Sequence, residues 1–201
     1  MLLDNSLVLI ILFYLLGSLP FALILTKVFG YGDIRNIGSG NVGATNVLRT
    51  GNKFLAFIVL CFDILKGLTP FIILNLYFNE IDILFKIFIC HFAILGHIFP
   101  IWLKFKGGKG VATYIGFLFG LNLYIGFSFL FIWLIMALFS KYSSLSSLIA
   151  SLMVSIIIFL IETNDYISVF LFYLFLVITL KHLENIKRLI NRTENKIKFN
   201  K

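Results

Sequence analysis

Long apolar stretches alternate with short polar connections along the 201 residues of the chain. A membrane-spanning helix needs about 20 mostly apolar residues. The pattern therefore predicts an all-α integral membrane protein that folds as a single membrane-embedded domain over residues 1–201. The apolar stretches cover residues 7–28, 54–78, 83–99, 111–140, 145–161 and 166–180.

The stretch 111–140 is longer than one crossing of a bilayer requires. As a single helix it would measure about 45 Å at about 1.5 Å per residue. It would also give an even number of spans and place the basic tail outside the cell. We therefore expect two short helices that turn near residues 120–122, and about seven transmembrane helices in all.

The distribution of basic residues predicts the orientation of these helices. Residues 26–53, 100–111, 140–145 and 181–201 contain 15 of the 17 Lys and Arg residues. Because basic connections stay in the cytoplasm, we expect the N-terminus outside and the C-terminus in the cytoplasm. The opposite ends of the helices carry the acidic residues Asp4, Glu80, Asp82, Glu162 and Asp165.

Composition narrows the range of partners. Hydrophobic residues make up 60% of the chain, and the net charge is +8. Because the basic residues lie in short connections and form no long polar face, we expect membrane lipids and phosphorylated substrates as partners, and no nucleic acid. The two cysteines lie in apolar stretches without metal-ligand spacing, so we expect no disulfide framework and no zinc site. We also expect no other metal and no cofactor.

The connection 104–113 combines three lysines with three glycines. Glycine turns let backbone N–H groups approach an anion, and ammonium groups add positive potential, which suits phosphate binding. Lysines alone would equally suit a loop that only fixes the topology. The stretch lacks the P-loop pattern, which disfavours nucleotide binding. The candidate phosphate-binding residues are Lys104, Gly107, Gly108 and Lys109.

A second glycine-rich segment, 38–44, matches G-x-G-x-x-G/A only formally, because no βαβ unit is expected around it. Hydroxyl and amide side chains lie here beside flexible backbone, and an arginine adds a guanidinium suited to phosphate or carboxylate. The alternative is a polar loop with turn glycines and an arginine that fixes topology. The polar candidates are Ser39, Asn41, Asn46 and Arg49.

Asp63 and Lys66 lie three residues apart inside the second apolar stretch and so share a helix face. Two charges in such a stretch are costly unless they pair or face a polar cavity. One interpretation is a structural ion pair; the other is that Lys66 attracts an anionic substrate. Near the end of the third stretch, His97 suits either structural hydrogen bonding or the same membrane interface.

Two further polar segments belong to the predicted cytoplasmic side. The serine cluster 143–147 is typical of a helix start, and Ser143 and Ser144 are candidate ligand contacts. The tail is predicted to continue the last spanning helix, with three polar side chains on one face. These side chains are His182, Asn185 and Arg188.

Three groups of these residues resemble the three motifs of the bacterial acyl-phosphate:glycerol-3-phosphate acyltransferases, the PlsY family. The resemblance covers nearly the full chain, and the motifs occur in the family's order. The first group is 38–47 with Arg49, the second is Gly96, His97, Pro100 and 105–113, and the third is His182, Asn185, Arg188, Leu189, Thr193 and Glu194.

The resemblance implies a seven-helix enzyme of the bacterial cytoplasmic (inner) membrane, with its active site facing the cytoplasm. It implies transfer of a fatty acyl group from acyl phosphate to the sn-1 hydroxyl of glycerol 3-phosphate. The products would be lysophosphatidic acid and inorganic phosphate, in the first step of phospholipid synthesis. A functional link to an enzyme that produces acyl phosphate would follow.

The resemblance also implies roles for particular residues. Ser39 and Arg49 would be essential groups near the reacting phosphates. His182 and Asn185 would act in catalysis or orient the substrate.

Residues 107–109 would belong to the glycerol 3-phosphate site, and Glu194 would hold the tail in place. The chain departs from the family's usual pattern at Lys181, where Arg is usual, and at Arg192, where Gly is usual.

Several alternatives stay open at this point. The hydroxyl proton of the acceptor passes either to His182 or to a phosphate oxygen of the substrate. A membrane transporter or carrier for a phosphorylated or lipid anion would also have short spans, buried charges and a basic anion site. A metal-dependent membrane transferase is less well supported, because only Asp33 lies in the cytoplasmic motif loops.

Overall fold

The computed structural model describes residues 2–161 and 165–197, with side chains from residue 6 onward. Glu162, one of the acidic residues used to orient the chain, lies outside this range, as does the side chain of Asp4. Within the described residues all regular structure is helical. The α-helices are α1 (Leu2–Ser18), α2 (Phe21–Val28), α3 (Ala44–Val47), α4 (Lys53–Tyr77), α5 (Ile83–Cys90), α6 (Phe92–Ile98), α7 (Val111–Leu121), α8 (Leu123–Ser140), α9 (Ser143–Ile161), α10 (Asp165–Lys181) and α11 (Leu183–Ile190).

Short 3₁₀ turns at Ile34–Asn36, Leu48–Thr50 and Ile101–Leu103 supplement these helices. The chain divides into two compact units: Leu121 ends unit 1 and Asn122 begins unit 2.

The apolar stretch 111–140 breaks where its length predicted. Helix α7 ends at Leu121, and Asn122 has the extended backbone angles φ −163° and ψ 132°. The Asn122 side chain accepts a hydrogen bond from the Tyr124 N–H at 2.8 Å and so caps α8. The predicted break between two helices is confirmed, and a total of seven spans stays a prediction.

Two other predicted helices differ from expectation. The first apolar stretch is not one straight helix, because α1 and α2 are separated at Leu19 and Pro20 and meet at 41°. The tail does not continue α10, because the chain bends by 65° between α10 and α11 at His182.

The apolar helices support a multi-pass membrane protein. Four helical segments in the described residues are long and apolar enough to cross a membrane, and six are if each bent pair counts as one span. Helix α7 is apolar but has only 11 residues.

Unit 1 is built on helix pairs whose backbones nearly touch. Helix α4 packs along α7, and α1 packs along α6. A Cβ at Gly67 would overlap the carbonyl of Thr113, and one at Gly96 would overlap the carbonyl of Tyr14. Small residues permit such close contact between membrane helices. The glycines therefore set the spacing of α4, α6 and α7, the helices next to the first and second motif groups.

Unit 2 is organised around α9, which packs against both α8 and α10. Ser147, Ser151 and Ser155 are buried, and each hydroxyl donates to the carbonyl four residues earlier. Trp133 on α8 donates to the Ser147 hydroxyl at 3.1 Å. These serines keep their polar atoms satisfied while they allow close packing.

Candidate active site

The segment between α2 and α4 carries the first group of candidate residues and is fixed to unit 1 by apolar side chains. Ile34, Val42 and Val47 are buried in one cluster with Leu55 and Val59 of α4. Because burial of apolar surface stabilises this contact, an irregular segment is held against regular helices.

Asn46 organises the polar side of this segment. The residue is 1% exposed, and its Nδ2 donates to the carbonyls of Ile34 at 3.0 Å and Ile37 at 2.9 Å. Its Oδ1 accepts from the Ser39 N–H at 3.0 Å and lies 3.3 Å from the Ser39 hydroxyl. These bonds use both sides of the amide, so Asn46 positions Ser39. A direct contact of Asn46 with substrate stays a prediction.

Gly38 lets Ser39, Asn46 and Arg49 come together. Its φ is +59°, a left-handed conformation that favours glycine. A Cβ at this position would lie 2.5 Å from Asn46 Oδ1 and 2.6 Å from Arg49 Cδ. Arg49 is exposed, and among the described residues no hydrogen bond or ion pair engages its guanidinium. The segment therefore holds the Arg49 side chain against Gly38, the residue next to Ser39.

Asn41, the remaining candidate of this group, is half-buried. Its Nδ2 lies beside Gly43, 3.0 Å from where a Cβ would stand.

A second arginine in the same segment is engaged by the protein itself. The Arg35 guanidinium bonds to both carboxylate oxygens of Asp33, with Nη2 2.6 Å from Oδ2. The side-chain and backbone hydrogen bonds from Arg35 lower the pKa of Asp33 to about 2. Arg35 and Arg49 thus differ in their availability to an anionic ligand.

The lysine and glycine connection uses its N–H groups differently from expectation. The Gly107 N–H donates to the Ile98 carbonyl and the Gly108 N–H to the His97 carbonyl, both at 3.1 Å. These two N–H groups are therefore not available to an anion, and binding of glycerol 3-phosphate at Gly107 and Gly108 stays a prediction. Glycine is required here for space, because a Cβ at Gly108 would overlap the His97 ring.

The lysines of this connection lie on either side of the two glycines. Lys104 is exposed and has φ +51°, and Lys109 is half-buried two residues before the start of α7. Positive charge in this connection therefore comes from side chains on a turn whose backbone is fixed to α6. Phosphate binding by both lysines stays a prediction.

Asp63 and Lys66 form the ion pair that their spacing predicted. Each side chain is 2% exposed, and Nζ lies 2.8 Å from Oδ1. Lys66 also donates to the Leu19 carbonyl at 3.0 Å, in the break between α1 and α2, and lies 5.7 Å from the ring centroid of Phe21. These contacts favour the structural interpretation of the pair, because the ammonium group is already surrounded by protein partners.

In unit 2, Glu194 joins α9, α11 and the tail. Its Oε1 accepts from Ser144 at 2.8 Å and Asn185 at 2.6 Å, and its Oε2 accepts from Arg188 Nε at 2.7 Å. Burial acts to raise the pKa of Glu194, but hydrogen bonds from Arg188, Asn185 and Ser144 lower it by more, and the net direction is downward. We call these four residues the tail cluster.

The turn before Glu194 shows how the chain accommodates Arg192. The Arg192 N–H donates to the Leu189 carbonyl at 3.1 Å, and the Thr193 N–H donates to the Arg188 carbonyl at 2.8 Å. This is the Schellman pattern, whose left-handed residue is usually glycine. Arg192 adopts it with φ +58°. The substitution of the family's usual glycine therefore preserves the turn in a less favourable backbone conformation.

His182 lies at the bend between α10 and α11 and is 2% exposed. Its Nδ1 lies 2.8 Å from the Ile178 carbonyl, which fixes the proton on Nδ1 in the neutral ring. Nε2 then carries the lone pair. A neutral histidine in this tautomer has the form required of a general base.

Comparison with known proteins identifies the family. A sequence model described as "Glycerol-3-phosphate acyltransferase" matches residues 7–192. The chain belongs to the glycerol-3-phosphate acyltransferase family. The protein is therefore an acyltransferase, and its relatives include enzymes of that name from Pelagibacter ubique strain HTCC1062, 53% identical, and Brucella anthropi, 47% identical. Each of these matches covers 186 residues, or 92% of this chain, and 94% and 89% of the relative, respectively.

Solved structures extend this likeness to the fold. A crystal structure of PlsY (YgiH), an integral membrane glycerol 3-phosphate acyltransferase, in the glycerol 3-phosphate form has a TM-score of 0.89 and 34% identity, with 96% of both chains covered. The lysophosphatidic acid form gives a TM-score of 0.86 and 33% identity, and covers 96% of this chain and 95% of the other. This acyltransferase is therefore an integral membrane protein of the PlsY family.

Within this acyltransferase the predicted site residues fall into separate groups. Unit 1 brings Ser39 and Arg49 together, and unit 2 brings Asn185 and Arg188 together. Ser143 begins α9, but its neighbour Ser144 is the serine in the tail cluster. Sequence reasoning named Ser144 only as a ligand candidate, and the spacing of serines at a helix start gave no signal of its carboxylate partner.

Proposed function

We propose that this acyltransferase transfers a fatty acyl group from acyl phosphate to the sn-1 hydroxyl of glycerol 3-phosphate. The products are lysophosphatidic acid and inorganic phosphate. The acceptor and product correspond to those named for the two PlsY crystal forms. The acyl phosphate donor and the sn-1 position follow from the resemblance of the three motifs to those of the family.

One observation carries the proposal: the exposed Arg49 side chain lies beside Gly38, the residue before Ser39, in a segment that Asn46 holds in place. A guanidinium presents several N–H donors in a planar fork that matches phosphate oxygens. Arg35, in the same segment, is already paired with Asp33 and is therefore less suited to this role. Arg49 therefore has the chemistry required to hold a reacting phosphate.

The proposed reaction is a direct transfer. The sn-1 hydroxyl oxygen attacks the acyl carbonyl carbon, an ester C–O bond forms, and the bond from that carbon to the phosphate oxygen breaks. The phosphate leaves with the bonding electrons, and cationic groups stabilise its charge as it develops. An acyl phosphate is a mixed anhydride and already activated, so the step requires no acyl-enzyme.

The hydroxyl proton has two acceptors in this scheme. His182 Nε2 accepts it if the ring acts as general base, because Nδ1 is committed to the Ile178 carbonyl. A phosphate oxygen of the substrate accepts it otherwise. We assign Asn185 to the orientation of the groups around His182, and Lys104 and Lys109 to attraction of the anionic substrates. Arg188 first supports the tail cluster through Glu194 and adds to the positive potential only with the part of its guanidinium that this pairing leaves.

The proposed location is the bacterial inner membrane, with seven spans, the N-terminus outside and the active site facing the cytoplasm. The support is the concentration of basic residues in alternate connections. A soluble glycerol 3-phosphate would then arrive from the cytoplasm and the acyl chain from the bilayer. An enzyme that produces acyl phosphate is the expected functional partner.

The test is a reconstitution with the purified full-length protein, acyl phosphate and glycerol 3-phosphate, without added metal. We expect equal release of phosphate and lysophosphatidic acid from wild type, and a loss of both in Ser39→Ala and His182→Ala that fold normally. A chelator should leave the rate unchanged. Absence of product from folded wild type, with acyl-CoA also inactive as donor, would refute the proposal and favour an anion carrier.

A further inference from the structure

A buried polar network in unit 1 has no part in the proposed chemistry. It consists of Asp63, Lys66 and His97, whose side chains are 2%, 2% and 7% exposed. Besides its 2.8 Å contact with Lys66, Asp63 Oδ1 lies 3.7 Å from His97 Nδ1. Burial of charges in an apolar helix is costly unless they pair, and here Lys66 and His97 both face the Asp63 carboxylate.

The Lys66 end of this network holds a break in a membrane helix. Its ammonium group donates to the carbonyl of Leu19, the residue after α1, which also accepts the Phe21 N–H. Lys66 thereby ties α4 to the α1–α2 break, and Asp63 is placed at a fixed point on α4. The Asp63 carboxylate is therefore a fixed point against which the His97 ring lies, with His97 Nδ1 at 3.7 Å.

His97 contacts the turn of lysines and glycines, residues 104–110, through both its backbone carbonyl and its ring. The His97 carbonyl accepts the Gly108 N–H at 3.1 Å, and the His97 ring lies where a Cβ on Gly108 would stand. Gly107 is bonded to the next carbonyl, that of Ile98. The ring of His97 thus lies between the Asp63 carboxylate and the backbone that leads to Lys109.

We propose that His97 is a positioning residue that fixes the Gly107–Lys109 turn relative to the buried ion pair. It sets the affinity for the phosphate-bearing acceptor and not the rate of acyl transfer. The inference rests on the proposed function, because it takes this turn as part of the glycerol 3-phosphate site. It requires no contact between His97 and substrate.

The geometry predicts which replacements retain this role. In His97→Asn the side-chain amide reaches the position of Nδ1 and keeps a donor toward Asp63. In His97→Gln the terminal amide reaches the position of Nε2 beside Gly108, and no donor remains at the position of Nδ1 toward Asp63. In His97→Leu the donor is lost, and the Asp63 carboxylate keeps only Lys66.

The experiment measures kcat and KM for glycerol 3-phosphate in these three variants of the purified enzyme. The control is His91→Leu, because His91 is also buried and lies in the same segment but packs against Phe88 and Phe92. We expect KM to rise about tenfold or more in His97→Leu and His97→Gln with kcat within about threefold of wild type, because small displacements of binding groups are costly. His97→Asn and His91→Leu should keep the wild-type KM.

The outcomes separate this inference from the proposed function. Wild type without product refutes the proposed function itself. If wild type is active, two results would refute the positioning role. One is that His97→Leu lowers kcat alone, and the other is that it changes KM no more than His91→Leu does. If His97→Leu does not fold, the KM values of His97→Asn and His97→Gln are compared instead. Equal KM values for these two variants would overturn the inference.

Discussion

The segment around Arg49 and the tail cluster each contain an arginine, but the two arginines differ in whether a carboxylate pairs with them. Arg49 is exposed, and within the described residues its guanidinium has no protein partner. Arg188 donates from Nε to Glu194 at 2.7 Å, and its side chain is 34% exposed. The first arginine carries uncompensated charge, whereas the second is paired with a carboxylate.

The difference separates ligand binding from structural support. An uncompensated guanidinium in a preformed segment attracts an anion, whereas a paired one first stabilises the protein. We therefore expect variants around Arg49 to change activity far more than stability. Variants of the tail cluster should lower stability even where activity remains measurable.

The largest expected effect is on the Arg49 side. Arg49→Gln removes the positive charge and the planar set of guanidinium N–H donors. We expect kcat/KM to fall at least about 100-fold, in the range seen when a hydrogen-bond donor to the transition state is removed. Arg35→Gln is the matched control, because Arg35 lies in the same segment and is engaged by Asp33. Steady-state kinetics of both purified variants provide the measurement, and equal losses would remove the distinction between the two arginines.

The tail cluster gives a smaller, pH-dependent effect. The pKa of Glu194 is lowered in the folded protein from its ordinary value of 4.5, so its carboxylate adds stability above that pH and loses this contribution as the pH falls. We expect Glu194→Gln to cost about 2 kcal/mol near pH 7, typical of a hydrogen bond to a charged group. Thermal unfolding in detergent should show the gap from wild type narrowing below about pH 4.5. A gap independent of pH would contradict the ion pair.

The smallest effect concerns the turn that carries Glu194. Arg192 occupies a left-handed position at φ +58°, which costs a non-glycine residue about 1 kcal/mol. Arg192→Gly should therefore raise the unfolding midpoint slightly and leave kcat/KM unchanged. A lower midpoint would show that the Arg192 side chain itself contributes contacts that outweigh the backbone strain.

The sequence predicted features that depend on length and local spacing. The break at Asn122 followed from the length of an apolar stretch, and the Asp63–Lys66 pair followed from a three-residue spacing. Proline was a weaker signal, because Pro20 lies at a break whereas Pro70 lies inside the continuous helix α4. The hydropathy pattern did not predict the bend at His182, because hydropathy shows which residues are apolar and not the angle between two consecutive helices.

Contacts between distant parts of the sequence could not be predicted in this way. The Leu19 carbonyl that binds Lys66 is 47 residues away in sequence, and Glu194 is 50 residues from Ser144. The sequence favoured Asn46 as a substrate-binding residue, but an amide beside glycines suits both substrate binding and structural hydrogen bonding. Only its burial shows that the amide bonds to the protein backbone.

Asn46 has a consequence for the thermodynamics of substrate binding. Its one amide bonds to three backbone groups at Ile34, Ile37 and Ser39, much as a neighbouring peptide would in a sheet. The conformational entropy of this irregular segment is therefore lost when the protein folds and not when a ligand binds. A small, highly hydrated anion can then be held by few contacts, because its binding free energy is not reduced by the ordering of the segment.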